Sequence, residues 1–186
     1  MSSDSDRAKD QDHVFKLIKD IQFAMLTTTD EDGSLRARPM AYKQGDSDSK
    51  TELWFFTRTD SSKVPEIKKH SHVNVSFSNP SHQSYVSISG RAEVIKDKAK
   101  AKELWNPYLK AWFPQELDDP HLGLLKVTIE GAEYWDSASS IMVRAVGYVK
   151  AAFGDGSTLE GENKKILTSF TLFSPRLCTC ISYTLK

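Results

Sequence analysis

Short segments rich in β-forming residues, each closed by a turn, dominate the chain from residue 23 to residue 136. Residues 51–57 are the clearest of these segments, because aromatic and β-branched side chains favour strands. Residues 72–78 alternate apolar and polar side chains, as a half-buried strand does. Further strands are predicted over residues 23–29, 34–42, 84–95, 124–129 and 132–136. Six or seven strands with only short helices predict a mainly β protein that forms a closed or nearly closed barrel.

Three glycine-containing sites predict where these strands turn or bend. Residues 30–33 end in Gly33, which can adopt positive φ, so a hairpin is expected there. Gly90 lies inside a strand and predicts a bulge of the kind that curls sheets into barrels. Gly131 predicts a turn between two shorter strands.

Helical spacing of apolar residues appears at both ends of the strand-rich region. We expect residues 1–12 to form a flexible leader and a short helix to begin at His13, with Val14 and Ile18 on its apolar face. A single domain is predicted over residues 13–154, and its last part, residues 137–153, has helical spacing. Residues 155–186 are a C-terminal extension of unknown structure, either loosely docked or a weak strand.

Two more helical segments are predicted inside the domain. One begins near Ser62, with residues 60–62 as candidate N-caps, because Pro65 is tolerated only in a first turn. The other covers residues 96–113 and is divided at Pro107, with Asn106 capping its second piece.

Composition narrows the classes of partner and compartment. The 186 residues contain 25 basic and 25 acidic side chains, and this balance argues against a protein that coats nucleic acid. Trp105 and Trp112 could stack on bases, but the neutral charge disfavours that reading. No apolar run is long enough to span a membrane. The two cysteines, Cys178 and Cys180, are too closely spaced for a structural disulfide, so a reducing, cytoplasmic location is expected.

Two basic residues stand where a ligand could be held. Arg38 precedes Pro39, which lacks an N–H and so marks a place where the strand ladder is interrupted. Lys63 follows the hydroxyls of Ser61 and Ser62 at a predicted helix start, where free N–H groups favour a phosphate. Arg38 could add further donors from a neighbouring strand. A capped helix with two surface cations explains the same residues, and spacing alone leaves both readings open.

Other candidate sites carry weaker signals. His70 and His72 share one strand face and His82 lies nearby, but the spacing matches no zinc site and surface histidines explain it better. The chain lacks the glycine-rich dinucleotide motif, the P-loop motif and the nucleophile-elbow motif. No metal site is therefore predicted.

A set of short motifs, in a fixed order over roughly residues 13 to 154, resembles a known family. The motifs are Ala37-Arg-Pro-Met40, Trp54-Phe-Phe-Thr57, Ser61-Ser-Lys63, Ser87-Ile-Ser-Gly90, Leu104-Trp-Asn-Pro-Tyr108, Ala111-Trp112, Asp119-Pro120 and Tyr134-Trp135. Together they are similar to the general stress proteins of the pyridoxamine 5′-phosphate oxidase-like, FMN-binding split-barrel superfamily. The resemblance implies a six-stranded split barrel that forms a homodimer, with one FMN in each of two clefts between the subunits.

The resemblance also implies roles for particular residues. Arg38, Ser61, Ser62 and Lys63 would bind the FMN phosphate. The chain around Pro39, Met40 and Thr57 would meet the edge of the flavin ring. The remaining expected lining residues are aromatic: Phe55 or Phe56 on one wall, Tyr85, and Trp135 from the partner subunit. Aromatic residues of this kind also fill barrel cores without any ligand.

The function implied is that of an FMN-binding flavoprotein, with flavin-dependent oxidoreductase activity as one reading. NAD(P)H or another small molecule would then be the second substrate. The alternative is a non-catalytic protein that binds or senses a flavin or haem. Pyridoxamine phosphate is not expected as the substrate, because Arg176 is the only arginine in the unmatched tail, where true oxidases of this superfamily end in a basic segment.

Overall fold

A computed structural model describes residues 4–42, 50–136 and 162–167. The described parts contain three α-helices, α1 (Asp4–Ile18), α2 (Lys63–Lys69) and α3 (Lys98–Leu104). They also contain seven strands: β1 (Phe23–Thr29), β2 (Leu35–Ala41), β3 (Glu52–Arg58), β4 (His72–Asn79), β5 (Ser84–Ile95), β6 (Leu122–Asp136) and β7 (Glu162–Leu167). Two 3-10 helices, Pro107–Ala111 and Glu116–Asp118, join α3 to β6. The protein is therefore mainly β, as predicted.

All pairings in the sheet are antiparallel, and the strand order is β2-β1-β4-β5-β6-β3, with β7 paired to β6 beside β3. The two end strands, β2 and β3, come within 8 Å at their Cα atoms but are not hydrogen-bonded neighbours. The barrel is thus split between β2 and β3. The described sheet has seven strands, which the strand pattern allowed and which is one more than the resemblance implies, because β7 pairs with the second half of β6.

The interior of the barrel is apolar because every second residue of each strand points inward. Leu26, Val75, Ile88 and Val127, one from each of four strands, are fully buried there. A second, smaller core lies between β3, β6 and the α3 region. It contains Trp54, Ala101, Leu104, Leu109, Phe113, Leu122 and Leu124.

The prediction of two strands separated by a turn at Gly131 is wrong. β6 runs without a break for 15 residues, and Gly131 pairs with Ser89 on one side and with Leu167 on the other. The predicted bulge near Gly90 is confirmed, because the β5–β6 register shifts between Ser89 and Gly90. Ser89 pairs with Gly131 and Gly90 with Ile129, so Glu130 is the extra residue. The sheet therefore bends at this point, and β6 continues past the bend.

Gly90 has a second reason to be glycine. A Cβ atom at this position would lie 2.2 Å from the backbone oxygen of Thr128, on the neighbouring strand. The close approach of the two backbones at the bulge thus leaves no space for a side chain.

The N-terminal helix begins earlier than predicted. α1 starts at Asp4, so residues 4–12, expected as part of a flexible leader, are helical. The side chains of Val14, Phe15 and Ile18 pack into the main core. The sequence therefore shows helical spacing of apolar residues only over the last turns of α1. The preceding turns are polar, and Asp10 binds Lys164 of β7 at 2.7 Å. Ion pairs of this kind leave no periodic trace in a sequence.

The other predicted helices have mixed outcomes. α3 ends before Pro107, and the Asn106 side chain accepts a hydrogen bond from the backbone N–H of Tyr108, so the predicted division and cap are confirmed. The helix expected over residues 137–153 lies outside the described residues, as do Cys178 and Cys180. Across the described residues, every helix is too short or too polar to cross a lipid bilayer.

Candidate functional site

Lys63, the first residue of α2, sits against hydroxyl groups from the end of β3 and the following turn. Its ammonium group donates to Thr57 Oγ1 at 3.2 Å and to Ser61 Oγ at 3.0 Å. Ser61 Oγ in turn donates to the backbone oxygen of Arg58 at 2.8 Å. An ammonium group carries three N–H donors, so one remains for a ligand after these two bonds.

Arg38 approaches the same place from β2 on the other side of the split. Its guanidinium donates to Thr28 Oγ1 at 2.5 Å and to Glu66 Oε2 at 2.9 Å. Thr28 Oγ1 donates to the same carboxylate oxygen at 2.5 Å. The Arg38 side chain is 20% exposed, so it remains open to solvent while two partners fix its direction.

We call Arg38, Thr57, Ser61, Ser62 and Lys63 the cationic corner. Burial lowers the pKa of Lys63, and the positive charge of Arg38 lowers it further. Glu66 and Asp60 oppose this effect, but Asp60 is already bound by Arg58 through two hydrogen bonds. The charges of Arg38 and Lys63 thus repel each other, Glu66 is paired with Arg38, and an anion bound by both cations would relieve the repulsion.

Polar burial in the described residues concentrates at this corner. The buried polar side chains are Thr28, Thr57, Glu66 and Ser84, and the first three belong to or contact the corner. Buried polar groups are costly unless they are bonded. Their clustering at one place in an otherwise apolar barrel indicates a built site.

The helix itself contributes less than expected. α2 begins at Lys63 with Ser62 as its N-cap residue, as predicted, but it has only seven residues and the Ser62 side chain makes no capping hydrogen bond. Ser62 instead lines an open cleft of about 430 Å³ next to Arg38 and Glu66. The corner therefore depends on side-chain donors, Arg38 and Lys63 above all, and not on a long helix dipole.

The remaining site residues named from the sequence lie in two other places. Phe55 is buried in the main core against Tyr42, and Met40 is buried in the same core. Phe56 packs edge-on against Trp105 in the second core. Strand alternation explains why the two phenylalanines face different cores. These three side chains serve the packing of the barrel.

Pro39, Tyr85 and Trp135 lie on the outer surface of the barrel. The prediction that Pro39 marks an interruption of the strand ladder is wrong, because the β1–β2 register runs without a break and Pro39 pairs with Met25. β2 is an edge strand, where a proline is tolerated when the position of its missing N–H faces away from the ladder. Tyr85 pairs directly with Trp135, and these side chains are 43% and 40% exposed. We call the outward-facing side chains of β1, β2, β5 and β6 the outer face. It carries five large exposed apolar side chains: Phe23, Met25, Leu35, Tyr85 and Trp135.

Two residues of the site were missed by reasoning from the sequence, Thr28 and Glu66. The predicted hairpin contained a signal for Thr28, because it pairs with Arg36 and so lies diagonally next to Arg38. Glu66 gave no such signal. It sits between the buried residues Val64 and Ile67, and its meeting with Arg38 depends on how α2 docks against β1.

The fold is that of a split barrel, with the cationic corner beside its open seam. Residues 9–159 match the family described as pyridoxamine 5′-phosphate oxidase like, and the chain belongs to this family. The resemblance stated from the sequence motifs is therefore confirmed.

Individual relatives agree with this assignment. The chain is 34% identical over 130 residues to the protein bli-3 of Neurospora crassa, a match covering 65% of this chain and 62% of that protein. The general stress FMN/FAD binding protein of Xanthomonas citri is 34% identical and has a TM-score of 0.61, over 72% of this chain and 93% of that one. A general stress protein 26 of Jannaschia sp. CCS1 has the same fold, with a TM-score of 0.72 at 22% identity, covering 86% and 99% of the two chains.

Proposed function

We propose that the cationic corner binds the phosphate of FMN and that the protein is a flavoprotein of the general stress type. The observation that carries the proposal is that Lys63, bonded to Thr57 and Ser61, lies near enough to Arg38 for the charge of Arg38 to lower its pKa, while Glu66 pairs with Arg38. Charge-assisted hydrogen bonds from such a pair suit a terminal phosphate. The name of the Xanthomonas citri relative, which states FMN/FAD binding, supports a flavin as the ligand.

The donor set fits a phosphate group in number as well as in charge. Arg38 uses two of its five N–H donors and Lys63 two of its three in the bonds described above. The exposed hydroxyl of Ser62 lies beside them at the cleft. When bound, the flavin would supply the capacity to accept and donate electrons, while the protein holds and orients it.

The first test is the absorption spectrum of the purified protein, followed by titration with FMN. We expect either a bound chromophore absorbing at about 450 nm, as oxidised flavins do, or its appearance on titration. A colourless protein that takes up no FMN would contradict the proposal, and a haem spectrum would replace FMN by another cofactor. Addition of NAD(P)H to the loaded protein then separates the two functional readings: reduction of the flavin supports an oxidoreductase, and its absence supports a binding protein.

We further propose that the outer face forms a homodimer interface. Five large apolar side chains exposed on one set of strands are unusual for a monomeric surface. Tyr85 and Trp135 lie in this face as a directly paired couple of exposed aromatic side chains. A partner subunit would cover these aromatic side chains.

A cytoplasmic location remains a prediction from the cysteine content.

Replacing Met25 by aspartate should convert the dimer to a monomer. Met25 is 41% exposed in the outer face, and an interface cannot bury an unpaired carboxylate without a large penalty. Sedimentation velocity measures the result. Tyr108→Asp is the matched control, because Tyr108 is 86% exposed but belongs to the 3-10 helix at Pro107–Ala111. A dimer that survives Met25→Asp, or a wild-type monomer, would contradict the proposed interface.

A further inference from the structure

Asp60 places a carboxylate in the same turn as the cationic corner. It lies between β3 and α2, three residues before Lys63. The ammonium group of Lys63 donates to Ser61, the chain neighbour of Asp60, at 3.0 Å. Burial is the largest influence on the pKa of Lys63 and lowers it, and the charge of Asp60 acts in the opposite direction. A free carboxylate in this turn would therefore compete with any anion for the ammonium group.

Arg58 occupies both oxygens of this carboxylate. Its Nε donates to Asp60 Oδ1 at 3.0 Å, and its Nη2 donates to Asp60 Oδ2 at 2.8 Å. A fork of two such bonds fixes the direction of the carboxylate as well as its distance. The side-chain hydrogen bonds from Arg58 lower the pKa of Asp60, so the carboxylate stays ionised at neutral pH. His121 Nδ1 lies 3.3 Å from Oδ2 of the same carboxylate.

The sheet and not the corner sets the position of Arg58. Arg58 is the last residue of β3 and pairs with Leu122, the first residue of β6. The N–H of Thr59 donates to the backbone oxygen of His121 at 2.8 Å, so the contact between the two segments continues beyond Arg58. The backbone of Arg58 is thus anchored by the β3–β6 pairing before any ligand binds.

We propose that Arg58 is a positioning residue for anion binding at the corner, because it occupies Asp60 and so leaves the third N–H of Lys63 for the phosphate. This inference rests on the proposed function. Arg58 acts through Asp60 and needs no contact of its own with the ligand. Without Arg58 the carboxylate is free to turn to Lys63, and only the molecules in which it has not done so bind the phosphate at full affinity.

Dissociation constants for FMN, measured by titration of the full chain, test this role in a double-mutant cycle. Arg58→Ala should weaken binding about three- to fivefold, the size of effect that an exposed ion pair can have, because it frees Asp60. Asp60→Asn alone should change the affinity by less than about twofold, because Arg58 already occupies the carboxylate. The double variant should bind FMN within about twofold of wild type, because no carboxylate then competes for Lys63.

Arg91→Ala is the matched control. Arg91 is an exposed arginine that binds Glu130 at 2.7 Å, so the variant loses the same charge without freeing a carboxylate beside the corner. Its FMN affinity should stay within about twofold of wild type. Equal losses in Arg91→Ala and Arg58→Ala would overturn the positioning role.

Two further patterns would contradict it. If Asp60→Asn improves binding equally with and without Arg58, the two residues act by general electrostatic attraction. If the double variant binds as weakly as Arg58→Ala, Arg58 supports only the structure of the turn. Either pattern, or an unchanged affinity in Arg58→Ala, would overturn the positioning role while FMN binding, and so the proposed function, stands. Failure of wild-type protein to bind FMN would overturn both.

Discussion

Replacing Lys63 by alanine is expected to weaken FMN binding by roughly 10- to 150-fold. A hydrogen bond to a charged partner contributes about 1.5–3 kcal/mol, and Lys63 offers an N–H beyond those it gives to Thr57 and Ser61. The dissociation constant from fluorescence or calorimetric titration measures the loss. Little change in stability is expected, because burial disfavours the charged form of Lys63 and already lowers its pKa.

Lys68→Ala provides the control for this result. Lys68 is an exposed cation on the last turn of the same helix, so its removal changes the net charge equally without touching the corner. FMN affinity should stay within about threefold of wild type, as is usual for an exposed charge. Equal losses in both variants would point to general electrostatic attraction, and no loss in Lys63→Ala would place the phosphate elsewhere.

Replacing Glu66 by alanine is expected to lower the free energy of unfolding by about 2–4 kcal/mol. The change leaves the guanidinium of Arg38 without its carboxylate and the buried hydroxyl of Thr28 without its acceptor. Removing one partner of a buried ion pair typically costs about 3–5 kcal/mol, and the 20% exposure of Arg38 reduces that figure here. Urea unfolding of the flavin-free protein measures the effect. Added inorganic phosphate should stabilise this variant more than wild type, because it can replace the lost negative charge.

A surface ion pair supplies the comparison for Glu66. Glu130 binds Arg91 at 2.7 Å, but the two side chains are 41% and 56% exposed. Glu130→Ala should therefore cost less than about 1 kcal/mol. If Glu66→Ala destabilises the protein no more than Glu130→Ala does, the carboxylate does not hold Arg38 in place and the described corner is wrong.

The strand pattern predicted the fold because alternation reports directly on which face of a strand is buried. It placed Phe55 and Phe56 on opposite faces, and the structure puts them in two separate cores. It failed at Gly131, where a glycine inside a continuous strand has the same local appearance as a turn. The continuity of β6 depends on its partners β5 and β7, and the pairing with β7 joins residues 26 to 36 positions apart.

The site was predicted in part, and the missing part has a physical reason. Arg38 and Lys63 could be named from local sequence. Arg38 precedes a proline within a predicted strand, and Lys63 follows two serine hydroxyls at a predicted helix start. Their meeting could not be derived from spacing, since it needs the closure of the barrel between β2 and β3. Glu66 was missed because a carboxylate on a short helix has many roles, and only the docking of α2 decides which one it takes.

The most direct test of the central claim compares FMN with riboflavin, which is the same flavin without its phosphate, in titrations of wild-type protein. If the cationic corner holds the phosphate, FMN should bind on the order of 100-fold more tightly, and Lys63→Ala should remove most of that difference by weakening FMN alone. Equal affinities for FMN and riboflavin would contradict the claim, because Arg38 and Lys63 would then contribute nothing to the recognition of the cofactor.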